Sequence, residues 1–150
     1  MTTDVLSTIS GKLVDDAASM IKQGWQGTRP FMTGCLLYTD EVFSISTGTV
    51  IDVGQDDKND MYSVTIEYDY GVCFRYCLLQ YYEVAVGDTV IIGTKIGHTN
   101  KGVLRFEYCT DTFSVFSYRH GELQLYKHDP MPVLTGEIEL PNLTVSDVEE

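Results

Sequence analysis

The sequence predicts a mainly β domain with an amphipathic helix in front of it, and three observations carry that expectation. After Pro30 the chain runs through segments rich in Val, Ile, Tyr and Phe, the residues that fit a pleated, half-buried surface. Gly48, Gly54, Gly71, Gly87 and Gly97 interrupt those segments at the spacing of turns in an all-β barrel or sandwich. Before them, Val5, Ile9, Leu13, Ala17, Met20 and Ile21 recur at intervals that gather on one side of a helix.

The helical spacing covers Thr3 to Gly24, so residues 1–24 are expected to form an N-terminal helical arm. Gly11 weakens this helix and can split it, since glycine costs about 1 kcal/mol relative to alanine in a helix interior. The apolar stripe has two destinations: its own domain, or another subunit. Gln23 to Pro30 holds two glycines and the one tryptophan of the chain and reads as a linker into a β domain spanning residues 25–134. Within that domain GQDDKND is the polar end of a hairpin. VAVGDTV joins a strand to a tight turn at Gly87 and Asp88. Residues 135–150 turn acidic, and such a tail stays solvated or adds a strand to a neighbour.

Composition sets the outer limits. With 150 residues the chain fits one domain that can bury a core without staples,. A formal net charge of -12 disfavours a phosphate-backbone partner, which is held by clustered Lys and Arg, and disfavours adsorption to anionic membranes or wall polymers. No apolar run approaches the about 20 residues of a spanning helix. MTTDVLSTIS lacks the basic region and apolar stretch of a signal peptide, so synthesis in the cytoplasm is expected. Cys35, Cys73, Cys77 and Cys109 form no C-x-x-C pair and are expected to be reduced, small buried hydrophobes.

The order of the strand motifs is more specific than any one of them. GTVIDVG, VTIEYDYG, RYCLL, VAVGDTVIIGTKIG and VLRFEY follow one another between Gly48 and Tyr108. In this the chain resembles the lysostaphin-like (LytM-type) zinc peptidoglycan endopeptidases. Their pattern runs through a Gly-x-Val strand, a Val-x-Ile strand, Tyr-x-His-Leu, Val-x-x-Gly-Asp-x-Val-x-x-Gly-x-x-Ile-Gly and His-Leu-His-Phe-Glu. The resemblance implies a LytM-type sheet or barrel-like fold. It also locates the residues that would do the chemistry, and in this chain they are of the wrong type. Val103 and Arg105 stand where the closing motif has its two histidines, and Leu78 stands at the histidine of Tyr-x-His-Leu. Counting back without gaps, Arg29 and Thr33 fall on the family's first ligand pair, His-x-x-x-Asp. No histidine precedes His98, so no imidazole is available upstream. Catalytic zinc takes about three protein ligands and an open position. The expectation is therefore a degenerate member with no metal, no other cofactor and no catalytic residues.

The remaining polar residues have bland readings. His98, His120 and His128 are spread over loops as ordinary surface residues. Arg105 is expected to pair with Glu67, Asp69 or another nearby carboxylate, placing a fixed charge where the cation would sit. Tyr62, Tyr68, Tyr70, Tyr76, Tyr81 and Tyr82 suit strands, and also suit a surface for glycan or protein. The resemblance implies an assembly role, as lysostaphin-like domains occur in tail tips, knobs and baseplates of bacteriophages. The expectation is a virion protein made in the host cytoplasm. Its partners would be tail or baseplate subunits or further copies of itself, with no nucleic acid, no membrane and at most weak peptidoglycan binding. The alternatives are a ligand-free activator of cell-wall hydrolases and, third, an active endopeptidase.

Overall fold

Apolar residues alternate along the three long central strands, and this alternation gives the sheet its two faces. In the computed structural model of the protein, residues 4–24, 34–56, 61–69, 72–111 and 125–135 are described. The strands are β1 (Ile21–Gln23), β2 (Cys35–Tyr38), β3 (Glu41–Phe43), β4 (Gly48–Asp56), β5 (Met61–Asp69), β6 (Val72–Tyr82), β7 (Thr89–Val90), β8 (Lys95–Thr99), β9 (Val103–Asp111) and β10 (Leu125–His128). The helices are short: α1 (Asp4–Ser10), α2 (Ala17–Met20) and α3 (Met131–Leu134).

All pairings are antiparallel, in the order β1-β2-β9-β6-β5-β4-β7. Strand β9 pairs with β6 on one edge, while β2 and β10 share the other, β2 along Val103 to Phe106 and β10 along Tyr108 to Asp111. Strand β6 divides its own edge in the same way, pairing with β9 up to Cys77 and with β8 from Leu79. Among the described residues the two ends of this order, β1 and β7, do not pair with each other. Among the described residues the fold is thus a mainly β antiparallel sheet that stays open, and not a closed barrel.

Val64, Ile66, Phe74, Tyr76, Leu104 and Phe106 are fully buried on one face, each contributing roughly 1.5–3 kcal/mol by area transfer. Phe106 stacks on Phe74 at 5.7 Å and meets Tyr76 edge-on at 5.5 Å. The Tyr76 hydroxyl accepts a hydrogen bond from the Ile45 backbone N–H at 3.1 Å, so the polar end of this ring is satisfied inside the core. Burial pushes its phenol well above the usual value.

The N-terminal segment departs from the single helix that its spacing predicts. Helix α1 ends at Gly11, whose φ of 69° is left-handed and whose missing Cβ leaves room for the Phe43 ring,. Asp16 then caps α2 by accepting from Ala18 N at 3.0 Å,, and the chain passes directly into β1. Leu6 and Ile9 are fully buried and Met20 nearly so, within the same core cluster as the sheet residues, and α1 packs on β3 and α3. Most of the N-terminal apolar residues therefore cover their own domain, while Leu13 of the stripe stays 85% exposed.

Other expectations lie in part outside the described residues: most of the Gln23 to Pro30 linker, the tip of the GQDDKND hairpin, His120 and the tail beyond Thr135. The turn at Gly87 has the expected geometry, with φ of 96° and the Asp88 carboxylate accepting from Ala85 N at 2.8 Å. All four cysteines are buried, and none is in a disulfide among the described residues.

Candidate functional site

Residues two apart in a strand point the same way, so Arg75 and Cys77 of β6 share a face, as do Arg105 and Glu107 of β9. Register sets Arg75 opposite Glu107 and Cys77 opposite Arg105, and these four side chains form a block on the face away from Phe74 and Phe106. Glu107 is its centre. Only 1% of its side chain is exposed, and it stands 3.3 Å from Arg75 Nη1 and 3.5 Å from Arg105 Nε. The first contact is a hydrogen bond. The second is a charge contact without hydrogen-bond geometry, and Arg105 Nε finds no acceptor among the described residues. The Cys77 thiol approaches the same Glu107 oxygen at 3.8 Å, and Arg75 Nη2 donates to Ser63 Oγ at 3.3 Å. Gly34, leading into β2, lies over this block: a Cβ there would press on the Phe106 carbonyl and the Glu107 side chain.

The charges respond to that packing. Burial acts against the Arg75 cation, but Cys77, Glu107, Cys109 and Asp52 together outweigh it and hold the guanidinium above its ordinary pKa. Burial pushes the Cys77 thiol up, Glu107 adds to this, and Arg75 and Arg105 partly offset it. Cys77 is therefore a protonated donor at neutral pH, and not a thiolate ligand or nucleophile.

Leu78 sits at a break in β6. Ser63 of β5 lies opposite both Cys77 and Leu78, because Tyr62 pairs with Leu79 and Val64 with Tyr76. This extra residue is a β-bulge. Leu78 takes a left-handed φ of 69° in it, at the point where β6 passes from β9 to β8. The Asn100 N–H donates to the Leu78 carbonyl at 3.1 Å and closes the junction.

A recess of about 230 Å³ opens over this region, with Arg75, Cys77 and Leu78 from β6, Arg105 from β9 and Ser63 and Tyr62 from β5. Two of the positions singled out in the sequence, Leu78 and Arg105, thus meet in one cleft. Val103 lies two residues before Arg105 on β9, opposite Tyr38, and does not line the recess. Arg29 and Thr33 lie outside the described residues. The nearby carboxylate that Arg105 meets is Glu107, which the expectation left unnamed beside Glu67 and Asp69. Period-two spacing in VLRFEY already puts Arg105 and Glu107 on one face, whereas the part of Arg75 depends on cross-strand register that no local pattern reveals.

At the described motif positions Leu78 and Val103 carry no ligand atom, and the Arg105 fork adds fixed positive charge, a set that does not fit a zinc ion. Among the described residues no three His, Cys, Asp or Glu side chains are grouped to hold a metal.

The fold recurs in solved structures. Lysostaphin in solution superposes with a TM-score of 0.59 at 23% identity, over 77% of this chain and 50% of that one. The chain has a lysostaphin-type fold. LytU matches with a TM-score of 0.56 at 20% identity over 76% of this chain and 83% of that one. The catalytic domain of the prophage-encoded M23 protein EnpA from Enterococcus faecalis matches at 0.53 and 17% identity, over 62% of this chain and 82% of that one. The chain spans about half the length of the lysostaphin chains. No family model and no curated protein matches the sequence.

Proposed function

We propose that this lysostaphin-type domain is a non-catalytic assembly module of a bacteriophage virion, a component of the tail tip, hub or baseplate whose partners are neighbouring tail subunits. One observation carries the non-catalytic half: the block of Arg75, Glu107, Arg105 and Cys77 fills the face where a zinc peptidase of this fold needs imidazole and carboxylate donors. An arginine that stays charged cannot take the place of a histidine that binds zinc or accepts a proton. The prophage origin of EnpA supports the phage setting, since it puts a protein of this fold on a phage genome.

Two measurements test the reading. Protein purified from zinc-supplemented medium is expected to hold far less than one zinc per chain and to leave peptidoglycan cross-links intact; stoichiometric zinc with cross-link cleavage would overturn it. Mass spectrometry of purified virions is expected to recover the chain. Recovery in a bacterial envelope fraction alone would favour an activator of cell-wall hydrolases.

A further inference from the structure

We infer that the recess over β6 and β9 is a binding site for the carboxylate of a peptide, with Arg105 as its principal anchor. The inference rests on the reading that the cleft is not a zinc site, and gives that vacated cleft a ligand.

Within ion-pair distance two guanidinium groups share one carboxylate, that of Glu107. The two arginines are not equally engaged. Arg75 makes hydrogen bonds to both Glu107 and Ser63 and also feels Asp52. Among the described residues Arg105 has Glu107 as its one carboxylate within ion-pair distance, with the Cys77 thiol beside it, and its Nε is shielded from solvent with no acceptor. A buried N–H without an acceptor is costly, and a ligand oxygen that supplies one removes that cost. The guanidinium fork matches the two oxygens of a carboxylate, and Arg105 remains 31% exposed, so it is reachable.

The surroundings narrow the ligand class. Glu107 is the one carboxylate within ion-pair distance of the two guanidinium groups among the described residues, and Asp52 acts on Arg75. With Asp52 counted the four charges already balance, so a singly charged ligand fits better than a phosphate dianion in a chain of net charge -12. At about 230 Å³ the recess is below the roughly 300–1,000 Å³ of pockets that enclose a whole small molecule. It suits one residue of a peptide whose remainder runs outside. Met61, Tyr62 and Leu78 line the same recess and offer an apolar wall to the side chain next to the carboxylate. Tyr62 is held by an edge-on contact with Tyr82 at 5.1 Å, which keeps that wall in place.

The carboxylate can be a chain terminus or an acidic side chain, and four probes separate the sources: acetyl-Ala-Ala with a free terminus, its amide, acetyl-Asp-methylamide and inorganic phosphate. Each is titrated into the full chain while the Arg105 Nε–H resonance is followed by nitrogen-proton NMR. One or both carboxylate probes are expected to shift that resonance saturably, with Kd on the order of 1 mM, and the one that does names the source. The amide is expected to have no effect. Arg105→Gln is expected to weaken binding at least tenfold. Arg105→Lys, which keeps the charge without the fork, is expected to fall between and serves as the readout if the glutamine variant does not fold. Equal binding of acid and amide, binding of phosphate alone, or unchanged affinity in both variants would overturn the proposal. Zinc uptake at the recess would instead overturn the non-catalytic reading, and absence of both zinc and carboxylate binding would remove this inference while leaving that reading intact.

Discussion

Arg75 and Glu107 face each other across β6 and β9 with 3.3 Å between Nη1 and Oε1, and the carboxylate of this pair is closed off from water while the guanidinium keeps 30% of its exposure. That asymmetry decides what removing each partner does. Taking away Glu107 leaves two cations side by side with no carboxylate in contact. Loss of one partner of a fully buried pair costs about 3–5 kcal/mol, and partial hydration of both arginines reduces this, so Glu107→Ala is expected to cost about 2–3 kcal/mol. Glu107→Gln keeps an acceptor for Arg75 and is expected to cost about 1–2 kcal/mol. Urea unfolding at neutral pH gives both values, and equal stability of Glu107→Ala and the native chain would refute the structural role assigned to the carboxylate.

The bulge at Leu78 stores strain. A branched L residue held at positive φ costs roughly 1–2 kcal/mol, and asparagine tolerates that region far better. Leu78 is only half-buried, so little core packing is lost on replacement. Leu78→Asn is expected to be neutral or to stabilise by up to about 1 kcal/mol, whereas Leu78→Val is expected to destabilise because a β-branched side chain resists this φ. The two denaturation midpoints would need to move in the opposite order for the conformation to be wrong.

The N-terminal segment belongs to the core. Leu6 and Ile9 are fully buried, and truncating a buried aliphatic side chain to alanine costs about 2–5 kcal/mol. Leu6→Ala and Ile9→Ala are each expected to fall in that range, and removal of residues 1–24 is expected to give a poorly folded chain with lost thermal cooperativity. A truncated chain that melts as sharply as the full one would show that the segment is a detachable arm.

Strand existence was legible because the Gly-Asp turn and the Val-rich runs are local signals, although Gly54 and Gly97, expected to interrupt strands, lie inside β4 and β8. GTVIDVG lies in β4, VTIEYD in β5, RYCLL in β6 and VLRFEY in β9, each where its alternation puts it. Two kinds of feature were not legible. The apolar stripe from Val5 to Ile21 repeats at helical spacing throughout, but Gly11 and the Asp16 cap divide it into two short helices, and Ile21 already pairs with Leu37 in the sheet. Tertiary pairing overrode a local period there. The site was half legible: Leu78 and Arg105 were found by position in motifs, yet Arg75, Ser63 and the bulge arise from register between strands. Glu107, two residues from Arg105 on the same face, fell under the expectation of a nearby carboxylate but was not named there with Glu67 and Asp69.

Alkaline pH provides the last test, through Cys35 on the core side of β2. Burial, with a smaller contribution from the charge of Asp129, pushes this thiol from 9.0 up to about 12. The thiolate is the form that burial penalises, so the unfolded chain loses this proton first as the pH rises. Stability from the group is intact below pH 9 and is lost between pH 9 and about 12, with a limiting slope of about 1.4 kcal/mol per pH unit for one proton. Cys77 and Tyr76, both raised by burial, add to the same limb. Cys35→Ala lowers stability at neutral pH by leaving a small cavity, but its stability is expected to fall less steeply above pH 9, by up to one proton's slope. Unfolding free energies measured from pH 8 to pH 11 for both chains decide this. Parallel curves would mean that Cys35 ionises alike in the folded and unfolded states and is not shielded as the packing of β2 on β9 requires.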